Sequence, residues 1–270
     1  MELLPPHLKL KILSSLGQQI DDVVSPNAPM EISEVIQLSK LQESKLNFFT
    51  AEDLQNLQGK GYIVKEGLLQ TKDKVRAVWD SILQLEKDGI LKPAGMQNSN
   101  HKWKQSGIRG DKMAFITSME MKNTAALDEV SRAMDALKTE LNESVDFQCS
   151  KVSIQAAVYP GGGSRYVKHL DSCKGGPRRR LTVLFYPNID WKEGDGGELR
   201  LYLPVRKRTT KQGEKVDAGL EGKMSEASQK AEVVDVKPTG NKVVVFLSDC
   251  VEHEVLKSNE KRAALTMWLC

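Results

Sequence analysis

The hydrophobic pattern of this chain changes its period after Phe147, and that change most restricts how the chain can fold. Before it, apolar residues recur every three to four positions, as on an amphipathic helix. After it, apolar residues alternate with polar ones or form short runs, separated by Gly, Pro, Asn, Asp or Lys-rich connections. These segments predict about eight strands, at 152–160, 164–170, 180–187, 197–205, 231–236, 242–248, 250–256 and 261–269. Such a series predicts a β-sandwich or jelly-roll barrel.

The first half of the chain carries helical patterns. Thr50–Asp53 has the composition of a helix start and Gly59–Gly61 that of a helix end, with a short strand expected directly afterwards. Two longer helices are predicted from apolar positions spaced by three and four, namely Val75, Val78, Ile82 and Leu85, then Leu127, Val130, Met134, Leu137 and Leu141. Helices that precede a run of strands are expected to cover one face of a sheet. The predicted fold class is therefore α+β with a mainly β core.

The domain organisation follows from composition. Residues 1–45 are predicted to form a helical N-terminal extension, and residues 46–270 a single domain. Within that domain, residues 93–107 carry Gly, Pro, Asn and Ser and are predicted to form a loop. Residues 206–230 have many charges and no aromatic residue, which predicts a mobile insertion between two strands.

Composition and charge exclude several classes of protein. Hydrophobic residues make up 40% and charged residues 28% of the chain, as in a globular protein, and the net charge of +3 does not favour a nucleic-acid partner. No apolar run is long enough for a membrane helix or a signal peptide, so no membrane partner is expected. The four cysteines lie at 149, 173, 250 and 270 without paired spacing. We therefore expect a cytoplasmic monomer, with the nucleus as the alternative location because of the basic run at 205–208.

The candidate functional residues begin with His169 and Asp171. In an extended strand, side chains two apart point the same way, so this imidazole and carboxylate can reach one metal ion. An open iron(II) site needs a second histidine. Of the histidines at 7, 101, 169 and 253, only His253 shares the apolar, strand-like setting.

Arg262 follows His253 by nine residues. If their strands pair through a short turn, both side chains can face one cavity from neighbouring strands. The arginine fork would then bind a carboxylate deeper in the barrel than the metal.

This arrangement resembles the double-stranded beta-helix oxygenases that use iron(II) and 2-oxoglutarate. Within that superfamily, residues 47–270 are most similar to prolyl 4-hydroxylases of the hypoxia-inducible-factor type. The matching pieces are Ile108–Lys112, Tyr159–Gly161, Tyr166–Asp171, Asp190–Trp191, Gly196–Arg200, Ser248–Asp249, His253–Val255 and Arg262–Trp268. The resemblance implies a jelly-roll, cupin-like barrel buttressed by the N-terminal helices.

The resemblance also implies roles for individual residues. His169, Asp171 and His253 would bind iron, and Arg262 would pair with the distal carboxylate of 2-oxoglutarate with help from Tyr186 and Thr266. Tyr159, Leu184 and Trp268 would line the cosubstrate pocket. On the substrate side, Arg109 and Asp111 would lie beside the loop at 93–107, Arg179 would pair with Asp111, and Tyr166 would be a neighbour of the site.

The implied activity is hydroxylation of a proline in a protein or peptide substrate, coupled to oxidative decarboxylation of 2-oxoglutarate. It would require iron(II), 2-oxoglutarate, dioxygen and ascorbate, and it would serve in oxygen sensing. Three alternatives remain at this point. The oxygenase could act on another substrate (a nucleic-acid base, a small molecule or another side chain), the barrel could be a non-catalytic binding module, or His169, Cys173, Cys250 and His253 could bind zinc.

Overall fold

The computed structural model describes residues 35–94, 109–116, 124–150, 152–172, 179–203 and 232–270. The N-terminal extension before residue 35, most of the loop predicted at 93–107, Cys173 and the insertion at 206–230 lie outside the described residues. All of the described residues belong to one compact unit. Among the described residues, no helix combines the length and apolar character required to cross a membrane.

Three α-helices occur in the described part of the chain. They are α1 (Ala51–Lys60), α2 (Lys72–Lys87) and α3 (Ala125–Val145). Helix α1 begins with a capping box, in which the Thr50 side chain accepts from the Asp53 backbone N–H and the Asp53 carboxylate accepts from the Thr50 N–H. It ends at Gly61, whose φ of 86° is left-handed. All the apolar positions that predicted α2 and α3 are buried, which confirms both helices.

The described chain before α1 agrees only in part with its prediction. Val35 is helical, whereas residues 36–45 contain two single 3₁₀ turns, Leu38–Lys40 and Glu43–Lys45, and no α-helix. Val35 and Ile36 are nevertheless buried. The domain boundary at residue 45 stays a prediction.

Eleven strands form two antiparallel sheets in the described residues. They are β1 (Tyr62–Glu66), β2 (Lys92–Pro93), β3 (Lys112–Phe115), β4 (Val152–Tyr159), β5 (Ser164–His169), β6 (Leu181–Tyr186), β7 (Leu199–Tyr202), β8 (Val233–Val236), β9 (Lys242–Leu247), β10 (Glu252–Ser258) and β11 (Arg262–Leu269). The larger sheet has the order β1-β9-β6-β11-β4-β3-β2, and the smaller one β5-β10-β7-β8. All eight strands predicted after Phe147 are present, and the two sheets form the expected double-stranded beta-helix core.

The two faces of the larger sheet have different neighbours. Helix α2 contacts β4 and α3, whereas α1 contacts β1 and β9, so the helices cover part of the sheet. The opposite, inner face points into the barrel. It includes Arg262, Ala264, Thr266 and Trp268 of β11, because side chains two apart share a face. The same alternation places Thr182, Leu184 and Tyr186 of β6 on the inner face.

The predicted pairing of the strands that carry His253 and Arg262 is wrong. Strand β10 pairs with β5 and β7, whereas β11 pairs with β4 and β6. The two strands are joined by only three residues, 259–261, yet they belong to different sheets. His253 and Arg262 therefore approach the barrel interior from its two opposite walls, not from paired neighbours.

The turn before β5 depends on glycine. Gly161, Gly162 and Gly163 all have positive φ, between 62° and 91°. A Cβ on Gly161 would lie 2.7 Å from the Asn259 carbonyl oxygen, in the turn before β11. The turn therefore brings the β4–β5 connection directly against the β10–β11 connection.

A buried carboxylate ties helix α3 to the start of α1. The side chain of Glu140, only 7% exposed, accepts hydrogen bonds of 2.9, 3.0 and 2.7 Å from the backbone N–H groups of Asn47, Phe48 and Phe49. We expect Glu140→Gln to lower the free energy of unfolding by about 2–4 kcal/mol, since an amide places an N–H donor against these donors. Urea denaturation monitored by circular dichroism measures this loss.

Glu143→Gln on the same helix is the matched control. The Glu143 side chain is 54% exposed, and its ion pair with Lys45 spans 3.9 Å. This substitution is expected to change the free energy of unfolding by less than about 0.5 kcal/mol. Equal unfolding midpoints for the two variants would contradict the role of Glu140.

Candidate metal and cosubstrate site

The three predicted metal ligands lie together. His169 at the end of β5 is directly opposite His253 of β10, and Asp171 follows in the bend after β5. The His169 Nε2 is 3.6 Å from Asp171 Oδ1, and the His253 Nε2 is 3.7 Å from Asp171 Oδ2. Ligand atoms of all three residues fall within 4.8 Å of one another. Two imidazoles and one carboxylate on one side form the facial donor set of an open iron(II) site.

Both histidines present the same nitrogen to this centre. His169 Nδ1 lies 2.8 Å from the Val167 carbonyl oxygen, and His253 Nδ1 lies 3.2 Å from the Val251 carbonyl oxygen. An Nδ1–H that donates to a carbonyl leaves Nε2 with its lone pair directed at the site. Burial lowers the pKa of His253 to about 4, although Asp171 opposes the shift. The imidazole is therefore neutral near pH 7, as a metal ligand must be.

Two neighbouring side chains orient the Asp171 carboxylate. Its Oδ2 accepts hydrogen bonds from the Thr182 hydroxyl at 2.6 Å and from Trp268 Nε1–H at 2.9 Å. Thr182 also shares a 2.9 Å hydrogen bond with Ser248. Burial alone would raise the pKa of Asp171, but the His253 and His169 rings and the Thr182 hydroxyl hold this pKa well below its ordinary value. The carboxylate is thus held ionised, with Oδ2 committed to these two donors.

Removing the Trp268 hydrogen bond tests this arrangement. We expect Trp268→Phe to weaken metal binding about 10-fold, because groups that orient a ligand typically contribute 10- to 100-fold to metal affinity. Titration of the apoprotein with Co²⁺, followed by absorption, measures the affinity without turnover. Trp191→Phe is the control, because Trp191 Nε1 donates instead to the Gly196 carbonyl. Equal Co²⁺ affinity in the two variants would show that Trp268 does not support Asp171.

Arg262 is a buried cation without a buried anion. Arg262 is only 2% exposed. Its guanidinium carbon lies 4.8 Å from the centre of the Tyr159 ring and 4.9 Å from the centre of the Tyr186 ring. Within the described part of the chain, it has no carboxylate within ion-pair distance, and neither its Nε nor the Tyr186 hydroxyl has a hydrogen-bond partner. Buried charges are normally paired. The donors therefore fit an anionic ligand such as the distal carboxylate of 2-oxoglutarate.

A glycine keeps the space beside Arg262 open. Gly197 has a φ of 75°, and a Cβ at this position would lie 2.9 Å from Arg262 Cδ and 2.7 Å from Ser258 Oγ. Any larger residue would push the arginine side chain out of its position between the two tyrosines. The loop before β7 therefore helps to position the anion-binding group.

The predicted pocket-lining residues share the inner face of the barrel. Thr266 lies opposite Leu184 in the sheet, and Arg262 opposite Tyr159. All of these residues are buried, as are Tyr186 and Trp268. Burial raises the pKa of Tyr159 and of Tyr186 above the ordinary value, while Arg262 opposes both shifts. Both phenols are therefore neutral hydrogen-bond donors near pH 7.

The predicted substrate-side residues form a stack beside the ligands. Arg109 forms two 2.7 Å hydrogen bonds with Asp111, whose side chain is fully buried. The Arg109 guanidinium lies 4.5 Å from the Tyr166 ring centre, and the Tyr166 ring stacks on His169 at 3.9 Å. Arg109, Asp111 and Tyr166 thus reach the metal ligands.

The predicted pairing of Arg179 with Asp111 is wrong in this structure. Asp111 is paired with Arg109 instead. Arg179 lies over the Trp268 ring at 3.9 Å and donates a 3.3 Å hydrogen bond to the Asp171 carbonyl oxygen. It therefore contacts the metal-ligand segment directly.

The zinc alternative finds no support among the described residues. The group of ligand atoms contains His169, Asp171 and His253 but not Cys250. The Cys250 thiol lies 3.4 Å from Asp249 Oδ1, and burial and this carboxylate raise the pKa of the thiol. A raised pKa disfavours the thiolate that zinc requires.

A family model supports the same interpretation. Residues 154–270 match the model of the 2OG-Fe(II) oxygenase superfamily. This stretch carries all three candidate metal ligands and Arg262. The donor set of these residues fits iron(II), and the buried Arg262 fits a carboxylate such as that of 2-oxoglutarate.

Curated relatives extend the similarity beyond this stretch. The chain is 26% identical over 232 residues to the hypoxia-inducible factor prolyl hydroxylase of Caenorhabditis elegans, covering 83% of this chain and 28% of the relative. It is 28% identical over 211 residues to Egl nine homolog 1 of Homo sapiens, covering 77% of this chain and 42% of the relative. The chain therefore spans less than half the length of these two relatives.

Solved structures give a consistent result. A prolyl-4-hydroxylase from Pseudomonas putida superimposes with a TM-score of 0.63 at 28% identity, covering 81% of this chain and 97% of that chain. A prolyl hydroxylase from Trichoplax adhaerens, in complex with a hypoxia inducible factor peptide fragment, has a TM-score of 0.62 at 25% identity, covering 80% and 86%. This chain is thus similar in fold and sequence to two solved prolyl hydroxylases.

Proposed function

We propose that this protein is a prolyl 4-hydroxylase that acts on a proline within a protein or peptide. The observation that carries the proposal is that its similarity to prolyl hydroxylases covers 83% of the chain, well beyond residues 154–270. It must therefore include segments that precede the barrel. The Arg109–Asp111 pair belongs to those segments, and Arg109 lies against Tyr166 beside the metal ligands.

Five residues would bind the metal or orient its ligands. His169, Asp171 and His253 hold the metal through one face, while Thr182 and Trp268 keep the carboxylate in place. When bound, iron(II) and 2-oxoglutarate supply the oxidising power: the cosubstrate and dioxygen become succinate and carbon dioxide, and one oxygen atom enters the prolyl C–H bond. Ascorbate is the proposed reductant that keeps the iron divalent.

The other site residues fix the cosubstrate and exclude water. Arg262 and Tyr186 offer converging donors for its distal carboxylate, and Gly197 leaves the arginine side chain in place. The buried apolar side chains of Ala264 and Leu184 lie next to them. Apolar surroundings strengthen the electrostatic interaction between the guanidinium and the carboxylate, because little water is present to screen it.

A peptide-dependent assay tests the proposed function. Metal-loaded protein with ascorbate would be incubated with carboxyl-labelled 2-oxoglutarate and an array of capped peptides, each with one central proline. We expect some peptides to stimulate release of labelled carbon dioxide and to gain one oxygen, at a residue that co-elutes with 4-hydroxyproline. Release without any oxygenated prolyl product would refute the proline assignment while leaving the oxygenase intact.

The biological setting is also part of the proposal. We infer an oxygenase domain at 46–270 in a cytoplasmic or nuclear protein, and a role in oxygen sensing. These assignments rest on the relatives' names and on cysteines without paired spacing. Dependence of peptide hydroxylation on oxygen across the physiological range, together with cell fractionation, tests them.

A further inference from the structure

Gln155 is a buried polar residue on the inner face of the barrel that the proposed chemistry does not use. It lies in β4 directly opposite Thr266 of β11. Residues paired in register share a face, and Thr266 faces the same way as Trp268, whose indole reaches Asp171. The Gln155 side chain therefore points toward the interior that holds the metal ligands.

The amide of Gln155 lacks a partner of its own. The residue is only 6% exposed, and in the described part of the chain its side chain forms no hydrogen bond. Asn188, the other buried side-chain amide among the described residues, donates to the Pro238 carbonyl and accepts from the Ala263 N–H. The amide atoms of Gln155 are not completely enclosed, since the fully buried side-chain atoms without a partner belong to other described residues. An unpaired amide that reaches open space on the inner face is available to a bound ligand.

The neighbours of Gln155 place it beside the row of residues that contacts Asp171. On its other side, in β3, Phe115 is 49% exposed and its ring lies 6.0 Å from that of Trp268. Thr266 and Trp268 are two residues apart, which corresponds to about 7 Å along the strand. Gln155 therefore lies one row from the Trp268 indole that contacts Asp171.

The chemistry of the amide suits a substrate rather than the cosubstrate. A neutral amide does not match a carboxylate, and Arg262 and Tyr186 already provide donors for that group. A prolyl residue has no backbone N–H, so the prolyl residue and the peptide bond before it offer only carbonyl acceptors. Among Phe115, Gln155 and Thr266 in this row, Gln155 offers two N–H donors in a position to meet them.

We propose that Gln155 determines substrate specificity by donating a hydrogen bond to a main-chain carbonyl of the substrate next to the target proline. This inference rests on the proposed prolyl hydroxylase function. This hydrogen bond sets the distance between the peptide main chain and the metal. It favours substrates in which that carbonyl has no other hydrogen-bond partner.

Substitution of Gln155 tests the proposal with the best proline peptide from the array as probe. Gln155→Met keeps the length of the side chain and removes both donors, so the peptide KM is expected to rise about 10-fold. Gln155→Glu replaces donors by a charged acceptor and is expected to raise it further. The KM for 2-oxoglutarate is expected to move less than about twofold. Gln84→Met, at an exposed position of α2, is the matched control and is expected to leave the peptide KM unchanged.

A modified peptide identifies the carbonyl in the wild-type protein. Replacing each carbonyl that flanks the proline by a thiocarbonyl weakens it as an acceptor. At one of the two positions the wild type is expected to lose about 10-fold in kcat/KM, whereas Gln155→Met loses nothing more.

An unchanged peptide KM in Gln155→Met would overturn the proposal, and so would an equal loss from the thiocarbonyl in wild type and variant. A rise in the 2-oxoglutarate KM as large as that for the peptide would assign Gln155 to the cosubstrate instead. If the wild type hydroxylates no proline peptide, the proposed function fails first, and this inference fails with it.

Discussion

Replacing His253 with alanine is expected to lower 2-oxoglutarate turnover on the order of 1000-fold or more. His253 is one of three donors whose atoms lie within 4.8 Å, and it is the one supplied by β10. Without its Nε2, the metal would keep only His169 and Asp171, which belong to a single short segment. Release of labelled carbon dioxide measures turnover, and metal content after dialysis is expected to fall in parallel.

The neighbouring Cys250 provides the control for this experiment. Cys250 lies three residues before His253 but does not belong to the group of ligand atoms. Cys250→Ser is expected to retain both metal content and turnover. Full turnover in His253→Ala would refute the proposed metal site, and loss of metal in Cys250→Ser would favour the zinc alternative. Thermal unfolding of both variants separates loss of the metal from loss of the fold.

Arg262→Lys is expected to raise the KM for 2-oxoglutarate on the order of 100-fold, with a smaller effect on kcat. Lysine keeps the positive charge but loses the planar pair of donors that matches a carboxylate. It also leaves the space between the Tyr159 and Tyr186 rings partly empty. Steady-state assays with varied 2-oxoglutarate at a saturating peptide concentration measure the change.

Arg262→Met tests whether the cosubstrate carboxylate binds at Arg262, independently of turnover. In the absence of ligand, Arg262 is a buried charge without a described counterion, so the apolar variant is expected to unfold at an equal or higher temperature. Wild-type protein with 2-oxoglutarate at about 100 times its Kd gains about 2.7 kcal/mol. The variant is expected to gain none of this stabilisation. An equal thermal shift in the two proteins would show that the cosubstrate carboxylate binds elsewhere.

Much of the fold was accessible from local sequence pattern. Alternating apolar and polar residues, interrupted by Gly, Pro and Asn, predicted the eight C-terminal strands. Apolar residues spaced by three and four positions predicted α2 and α3. The pairing of those strands was not accessible in the same way. A short connection normally predicts a hairpin, yet 259–261 joins two strands that complete different sheets because each finds more distant partners.

The candidate site, like the fold, could be predicted only in part from the sequence. His169, Asp171, His253 and Arg262 could be selected from residue type, strand context and resemblance alone. Thr182 was missed, although its even spacing from Leu184 and Tyr186 places it on the inner face. The donor role of Trp268 was missed as well, because an indole in a strand gives no sign of which carboxylate it meets 97 positions away.

The sequence by itself determined which residues form strands and helices, which side chains share a face, and which residue types can bind a metal and a carboxylate. Only the tertiary structure decided their partners. It placed His253 and Arg262 on opposite walls, gave Asp111 to Arg109 rather than Arg179, and left the Gln155 amide unpaired. The physical reason is that periodicity records the burial of each side chain, whereas partners are set by contacts between segments far apart in the chain.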